Sequence, residues 1–505
     1  MDADQFREFG RAAVDYIADY YETIRDRPVL PSVQPGYLDD LLPKDPPQSG
    51  ESWRDVLQDV DRIIMPGITH WQSPNFHAYY PTAQSFPSVV AELMSAGFGV
   101  VGLSWIASPA MTELEVVMMN WLGRMLELPE QFLNCSEGPG GGVIQGSASE
   151  ATYVGLLAAK EKKVKDLITE NPQLSEAEIK GKLIAYSSDQ SNSSVEKAGL
   201  LGSMKMRLLP TNGQGQLTAD TLQEAINKDK EAGLIPCYFV ANLGTTPTCA
   251  FDNLEELGPI CNREEVWLHV DAAYAGTAFI CPEYRHLMKG VEMADSFNFN
   301  PHKWMLVNFD CSAMWIRDAK YLVEAFNVER IYLKDQHKGL APEYRHWQIS
   351  LGRRFRALKI WFVLRIYGVE GIKKHVRNQV GLAKYFSALV EKDSRFELCS
   401  CSMGLASFRL KGDNALTEKL LQKISDKKNQ FLIAGHLNHR YVIRYAICSR
   451  LTEQRDVDYS WREILEAADE LVPRANKKLI IEVAEKQGLL NIETCKADKS
   501  VEKTK

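Results

Sequence analysis

The chain carries one lysine in a setting suited to covalent chemistry. Lys303 stands in Ser296-Phe297-Asn298-Phe299-Asn300-Pro301-His302-Lys303-Trp304, among aromatic, amide and imidazole groups and just before an apolar run. A lysine amine is mostly protonated near pH 7, so it forms a Schiff base with an aldehyde only where burial or a neighbouring cation lowers its pKa. Taken alone, the stretch also fits a surface or salt-bridged lysine. A second group narrows the choice. Glu265-Val266-Trp267-Leu268-His269-Val270 reads as a buried strand running into Asp271-Ala272-Ala273-Tyr274, which places an acid at the strand's carboxyl end. Ligands collect at such ends in open parallel sheets, and a carboxylate there can keep a heteroaromatic nitrogen protonated. The plainer reading of Asp271 is an acid in a strand-to-helix turn.

Two further stretches offer binding groups. Gly138 to Gly142, followed by Gln145-Gly146-Ser147-Ala148-Ser149-Glu150-Ala151, reads as a flexible turn leading into a helix. Free amides and small hydroxyls at a helix start bind phosphate. The lysine and glycine spacings of triphosphate loops and dinucleotide fingerprints are absent. From His70 to Thr82 the chain is rich in aromatic residues (Trp71, Phe76, Tyr79, Tyr80), which suits either a core or the wall of a small-molecule site.

The elements that must position these groups alternate along the chain. Leu183 to Tyr186, Met206 to Leu209 and Pro236 to Ala241 read as short strands, separated by helical stretches from Ser193 to Leu201 and from Thr218 to about Gly233. Such alternation implies parallel pairing with helices on both faces, an α/β fold. Phe6 to Ile24 has the apolar spacing of an amphipathic helix. Six prolines from Pro28 to Pro47 predict an extended arm, either a dimerisation element or a linker. Residues 1–84 form this N-terminal segment, 85–360 a large domain, and 361–480 a small C-terminal α/β domain. The cluster Arg353-Arg354-Phe355-Arg356 reads as a solvated helix face, and residues 481–505 as a disordered tail.

Bulk properties exclude several functions. The 505 residues suffice for a large core. A net charge of -7, from 59 basic and 66 acidic residues spread along the chain, provides no footprint for nucleic acid or an anionic membrane. Ten cysteines without a regular framework predict a reduced chain and no metal site. No apolar run approaches the roughly 18 residues of a membrane span and no apolar signal core opens the chain, so a cytoplasmic protein is expected.

Four separated motifs, Asn75-Phe76-His77-Ala78-Tyr79-Tyr80-Pro81-Thr82, Gln145 to Ala151, the Asp271 stretch and Pro301-His302-Lys303-Trp304, resemble the group II pyridoxal phosphate decarboxylases and, within them, the aromatic L-amino acid decarboxylases. The resemblance runs from about Phe6 to about residue 480. It implies a fold type I, aspartate-aminotransferase-like homodimer that binds pyridoxal 5'-phosphate. Lys303 would hold the cofactor and Asp271 its pyridine nitrogen, with Ala148, Ser149, Thr246 and Asn300 on the phosphate side and Ala273 and His302 completing the cofactor site. Trp71, Tyr79, Tyr80, Pro81 and Thr82 would line a pocket for an aromatic amino acid, with Val101 and Leu103 added from the other subunit. Tyr332 would lie in a mobile catalytic loop and help protonate Cα.

One position departs from the family. Where these decarboxylases usually carry Asp-Gln-Ala-His-Ser-Ser, with the histidine stacked on the cofactor ring, this chain reads Asp189-Gln190-Ser191-Asn192-Ser193-Ser194. Loss of carbon dioxide leaves a carbanion stabilised by the cofactor. A histidine near neutral pKa arranges its protonation to an amine, whereas an asparagine does not titrate, so dioxygen can compete. Asn192 together with Tyr79-Tyr80, where decarboxylases commonly have Tyr-Phe, resembles the insect 3,4-dihydroxyphenylacetaldehyde synthases. That likeness implies L-dopa and O2 as substrates, an aldehyde, carbon dioxide, ammonia and hydrogen peroxide as products, and a role in cross-linking cuticle. Retained Tyr332 implies some amine as well. The alternatives are an ordinary dopa decarboxylase, in which Asn192 is a tolerated change, and a non-catalytic relative, which intact Lys303 and Asp271 oppose.

Overall fold

A computed structural model describes residues 1–328 and 341–473 of the chain. Its centre is a seven-stranded sheet of β1 (Gly141–Gln145), β2 (Leu183–Ser188), β3 (Lys205–Leu209), β4 (Ile235–Asn242), β5 (Trp267–Asp271), β6 (Ser296–Phe299) and β7 (Ser312–Ile316), in the order β1-β7-β6-β5-β4-β2-β3. The pairs β2–β3, β2–β4, β4–β5 and β5–β6 are parallel, while β7 runs antiparallel to both neighbours. Six strands therefore end at one edge. Alternate residues serve opposite faces: Leu268, Val270, Phe297 and Phe299 join one apolar core with the helices Pro109–Leu126, Ala219–Glu231 and Leu254–Arg263, and Trp267, Tyr238, Val240 and Met314 join another with the helix Ala148–Glu170. Strands buried on both faces read as continuous apolar runs, which is why most were visible in the sequence.

The expected turn at Gly138 to Gly142 is in part a strand. Gly141 and Gly142 belong to fully buried β1, and a Cβ at Gly142 would fall 2.6 Å from Met119 Cε and 2.7 Å from Trp315 Nε1. Close packing, not turn geometry, is what requires glycine there.

A second, antiparallel sheet of β8 (Phe396–Ser402), β9 (Leu405–Leu410), β10 (Ile433–Leu437) and β11 (Arg440–Ala446) has the order β10-β11-β9-β8 and its own core with the helices Asn414–Asp426 and Gln454–Leu471. The helix Arg356–Lys392 runs from the large sheet to this one and is broken at Gly368, whose φ is +66°. At the N-terminus, the helix Ala3–Glu22 starts at an Asp2 capping box. The proline-rich arm holds one short helix, Tyr37–Leu41. Among the described residues, no helix is long and apolar enough to cross a membrane.

Candidate active site

The carboxyl ends of β1, β2, β4, β5 and β6 converge on one cavity of about 200 Å³. Its lining comprises Tyr80, Ser147, Ala148, Ser149, Asn192, Ser194, Asn242, Gly244, Thr245, Thr246, Asp271, Ala273, Tyr274, Asn300, His302 and Lys303. Side chains gather there because a parallel strand hands its chain to a loop or helix start at that edge, where backbone donors are unpaired.

Lys303 sits on the short helix Pro301–Trp304 directly after β6, and its carbonyl accepts from the Ala83 N–H at 3.1 Å. Its amine lies 5.3 Å from the centre of the Tyr80 ring. Burial holds this amine below its ordinary pKa, Asp271 opposes that shift, and the Arg444 guanidinium adds to it. Asp271 ends β5 and accepts the Ala273 N–H at 2.9 Å. Its burial raises the carboxyl pKa, and the Lys303 cation pulls the other way. The two groups thus share one low-dielectric space and each favours the other's charge.

His302 is buried, and its Nδ1 accepts the Cys311 N–H at 2.8 Å. That bond leaves the ring proton on Nε2, 3.1 Å from Asn300 Nδ2; both atoms are donors, so this contact is not a hydrogen bond with the amide in this orientation. Burial lowers the His302 pKa to about 3, so the ring is neutral at pH 7. Asn300 Oδ1 in turn accepts from Ser312 Oγ at 2.7 Å, tying the site to the start of β7. Opposite, the helix Ala148–Glu170 begins at Ser147, whose hydroxyl accepts the Glu150 N–H at 3.1 Å. Asn192 caps the helix Ser193–Leu201: its Oδ1 accepts the Ser194 N–H at 3.0 Å, and its Nδ2 donates to Thr246 Oγ1 at 3.1 Å. Both ends of that amide are engaged.

Ten of the residues singled out in the sequence meet in this cavity: Tyr80, Ala148, Ser149, Asn192, Thr246, Asp271, Ala273, Asn300, His302 and Lys303. Trp71, Tyr79, Pro81 and Thr82 are not on its wall. Trp71 and Tyr79 stack on one another at 5.3 Å outside it, and Thr82 is held through its carbonyl by Gln72 Nε2 at 2.7 Å. Val101 is half exposed, and Leu103 lines a separate small cavity with Glu115 and Arg353. Tyr332 lies outside the described residues.

Sequence reasoning missed Ser147, Ser194, Asn242, Gly244, Thr245 and Tyr274 as lining residues. Tyr274 follows Asp271 by three residues. Its ring stacks on Tyr80 at 4.0 Å and on Trp304 at 4.6 Å, while the Tyr80 hydroxyl donates to the Thr245 carbonyl at 2.8 Å. Its place within the Asp271 stretch was the available signal.

The donor set fits pyridoxal phosphate: a buried amine with a lowered pKa for the aldehyde, a carboxylate for the ring nitrogen, and a helix start with Ser147 and Ser149 for the phosphate. A mostly parallel sheet with such a lysine–aspartate pair at its strand ends defines a pyridoxal-phosphate enzyme of fold type I. Residues 35–411 match the pyridoxal-dependent decarboxylase conserved domain, and the chain belongs to that family. Its cofactor is pyridoxal 5'-phosphate. The chain is 57% identical over 472 residues to an aromatic-L-amino-acid decarboxylase of Drosophila simulans, covering 93% of this chain and 92% of the relative. It is 56% identical over 483 residues to a 3,4-dihydroxyphenylacetaldehyde synthase of Drosophila melanogaster, covering 94% and 95%. Among solved structures, Oryza sativa TDC with PLP and tryptamine superimposes with a TM-score of 0.89 at 35% identity, covering 93% of this chain and 99% of that one. Relatives of both reaction types thus stand at nearly equal identity, and overall likeness does not separate them.

Proposed function

We propose that the chain is an aromatic L-amino acid decarboxylase that diverts its reaction to oxygen: L-dopa, O2 and water give 3,4-dihydroxyphenylacetaldehyde, carbon dioxide, ammonia and hydrogen peroxide. The observation that carries this reading is Asn192. It lies on the cavity wall where the family's decarboxylases usually carry a histidine, and both ends of its amide are engaged.

When bound, pyridoxal phosphate supplies the electron sink that accepts the bonding pair released with carbon dioxide. Lys303 binds the cofactor aldehyde, and Asp271 holds a proton on its ring nitrogen, the state that makes the ring an acceptor. Ser149, Thr246 and Asn300, with the amides at the start of the helix Ala148–Glu170, hold the phosphate, and Ala273 and His302 complete the floor. Tyr80, stacked on Tyr274, forms the apolar wall nearest Lys303 and orients the aromatic substrate. Trp71, Tyr79, Pro81 and Thr82 form the approach to it, with Val101 and Leu103 reaching the site across a homodimer.

At Asn192 the chain offers an amide that neither gives nor takes a proton near pH 7, so no proton reaches Cα from this side. Neutral His302 has its Nδ1 committed to the Cys311 N–H. Oxygen then competes for the substrate carbon. Tyr332 supplies the remaining proton route, and a minor amine product follows from it.

Homodimer formation is supported by the helix Phe86–Phe98, which exposes Phe86, Val90, Leu93, Met94 and Phe98 at helical spacing along one face. An apolar stripe of that size on a monomer marks a contact surface. A cytoplasmic catechol aldehyde, reactive toward protein amines, suits cuticle cross-linking.

Chromatography of the organic product made from L-dopa in air tests the proposal. Aldehyde as the major product, with hydrogen peroxide, supports it; dopamine alone reduces the chain to an ordinary decarboxylase and makes Asn192 a tolerated change.

A further inference from the structure

The small sheet contributes one charged group to the neighbourhood of Lys303. Arg444 lies on β11 and is buried to 1% exposure. Among the described residues no carboxylate forms an ion pair with it, and its Nε and Nη1 have no hydrogen-bond partner. Among the described residues it donates from Nη2 to the carbonyl of Tyr79 at 2.9 Å, and its guanidinium stands 5.0 Å from the centre of the Tyr80 ring. A buried cation without a counter-charge costs stability, so its retention calls for a function other than packing.

The carbonyl it holds belongs to an unusual turn. Tyr79 has φ +56°, a left-handed conformation that a side chain other than glycine adopts only at a cost. This turn sends the Tyr79 ring outward, where it is 47% exposed and stacks on Trp71, and sends the next ring, Tyr80, inward beneath Lys303. The rest of the segment is stitched by neutral bonds to β11 and to the chain just before β10. The His77 N–H donates to the Phe431 carbonyl at 2.9 Å, and the Ala446 N–H donates to the His77 carbonyl at 3.1 Å.

We propose that Arg444 is a positioning residue: its hydrogen bond to the Tyr79 carbonyl fixes the left-handed turn that places the Tyr80 ring against Lys303 and so shapes the substrate wall. This rests on reading the cavity as the cofactor and substrate site. The guanidinium also acts on Lys303 directly, adding to the depression of its amine pKa. The two effects are separable by substitution. Arg444→Lys keeps the charge but loses the planar fork that reaches the carbonyl; Arg444→Met loses both.

The test uses full-length protein loaded with pyridoxal phosphate, with folding checked by far-ultraviolet circular dichroism. Appearance of a visible absorption band in the unsubstituted protein verifies the site itself, and its absence would sink the reading of the cavity rather than the role of Arg444. In Arg444→Lys, backbone amide exchange at residues 78–80 is expected to quicken at least tenfold while that of β4 and β5 is unchanged. Affinity for L-dopa and for dopamine, which lacks the carboxylate, is expected to fall by the same factor, roughly tenfold. The pH titration of the visible band stays in place in Arg444→Lys and moves to higher pH in Arg444→Met. Unchanged exchange at residues 78–80 would overturn the proposal. So would a loss of affinity confined to L-dopa, which would make Arg444 a carboxylate ligand instead.

Discussion

Replacing Asn192 by histidine restores a titrating ring at one point of the cavity wall and isolates its contribution to the fate of the reaction. The structure sets two magnitudes. The first is a stability cost: Asn192 caps the helix Ser193–Leu201 through a 3.0 Å bond to the Ser194 N–H, and loss of such a cap costs about 1 kcal/mol. In a chain of this size that leaves the protein folded, as urea denaturation would verify. The second is chemical. A positioned general acid contributes on the order of 10²- to 10⁴-fold to proton transfer, so the ratio of amine to aldehyde is expected to rise by at least about 10². The histidine also gives up the bond from the Asn192 amide to Thr246 Oγ1, freeing that hydroxyl. Dopamine and aldehyde would be quantified together at saturating L-dopa in air-equilibrated buffer, for both proteins in parallel. A product ratio unchanged within a factor of two, in a variant that still binds cofactor, would refute the assignment of product control to position 192.

Other expectations follow from the same geometry. Asp271→Asn removes the group that raises the Lys303 pKa and would hold the ring-nitrogen proton; turnover is expected to fall at least about 10³-fold with the fold intact, measured as carbon dioxide release. Glu115 and Arg353 form a 2.6 Å ion pair with both side chains almost fully buried; Glu115→Gln strands the arginine and is expected to cost roughly 3–5 kcal/mol in denaturant unfolding. His77 and His269 are held at about 4, and His302 at about 3, by burial. These folded pKa values lie below that of an unfolded histidine, so unfolding takes up protons, and stability present above pH 6.5 is lost as pH falls toward 4. The slope is up to roughly 1.4 kcal/mol per pH unit for each ring. Asp252, raised by burial to about 6, opposes this over part of the range. Proton uptake on unfolding at pH 5 checks the sign.

Much of this architecture was legible because its signals are local. A parallel strand buried on both faces is an apolar run, and β2, β4 and β5 announce themselves that way; Asp271 was legible because it stands just after such a run, whereas Lys303, which follows the alternating Ser296-Phe297-Asn298-Phe299 of β6, was legible from its aromatic, amide and imidazole neighbours. β1 was harder to see, since Gly141 is packed against Asn134 and Trp347 and Gly142 against Met119 and Trp315, contacts made in space that a local reading of the sequence does not show. β7 is a five-residue strand whose antiparallel direction is decided by its neighbours β1 and β6. Arg444 was invisible for the same reason: it lies 365 residues from the carbonyl it holds. The aromatic residues from Trp71 to Tyr80 were noticed together, yet only Tyr80 lines the cavity, because a single left-handed residue turns the two adjacent tyrosines to different sides.

The measurement closest to the central claim is the ratio of oxygen consumed to carbon dioxide released during L-dopa turnover, followed with an oxygen electrode and a carbon dioxide assay in the same vessel with catalase absent. An oxidative synthase gives a ratio near one, reduced slightly by whatever amine Tyr332 permits. A ratio near zero, with dopamine accumulating in step with carbon dioxide, would contradict the account and return Asn192 to a neutral substitution in an ordinary decarboxylase.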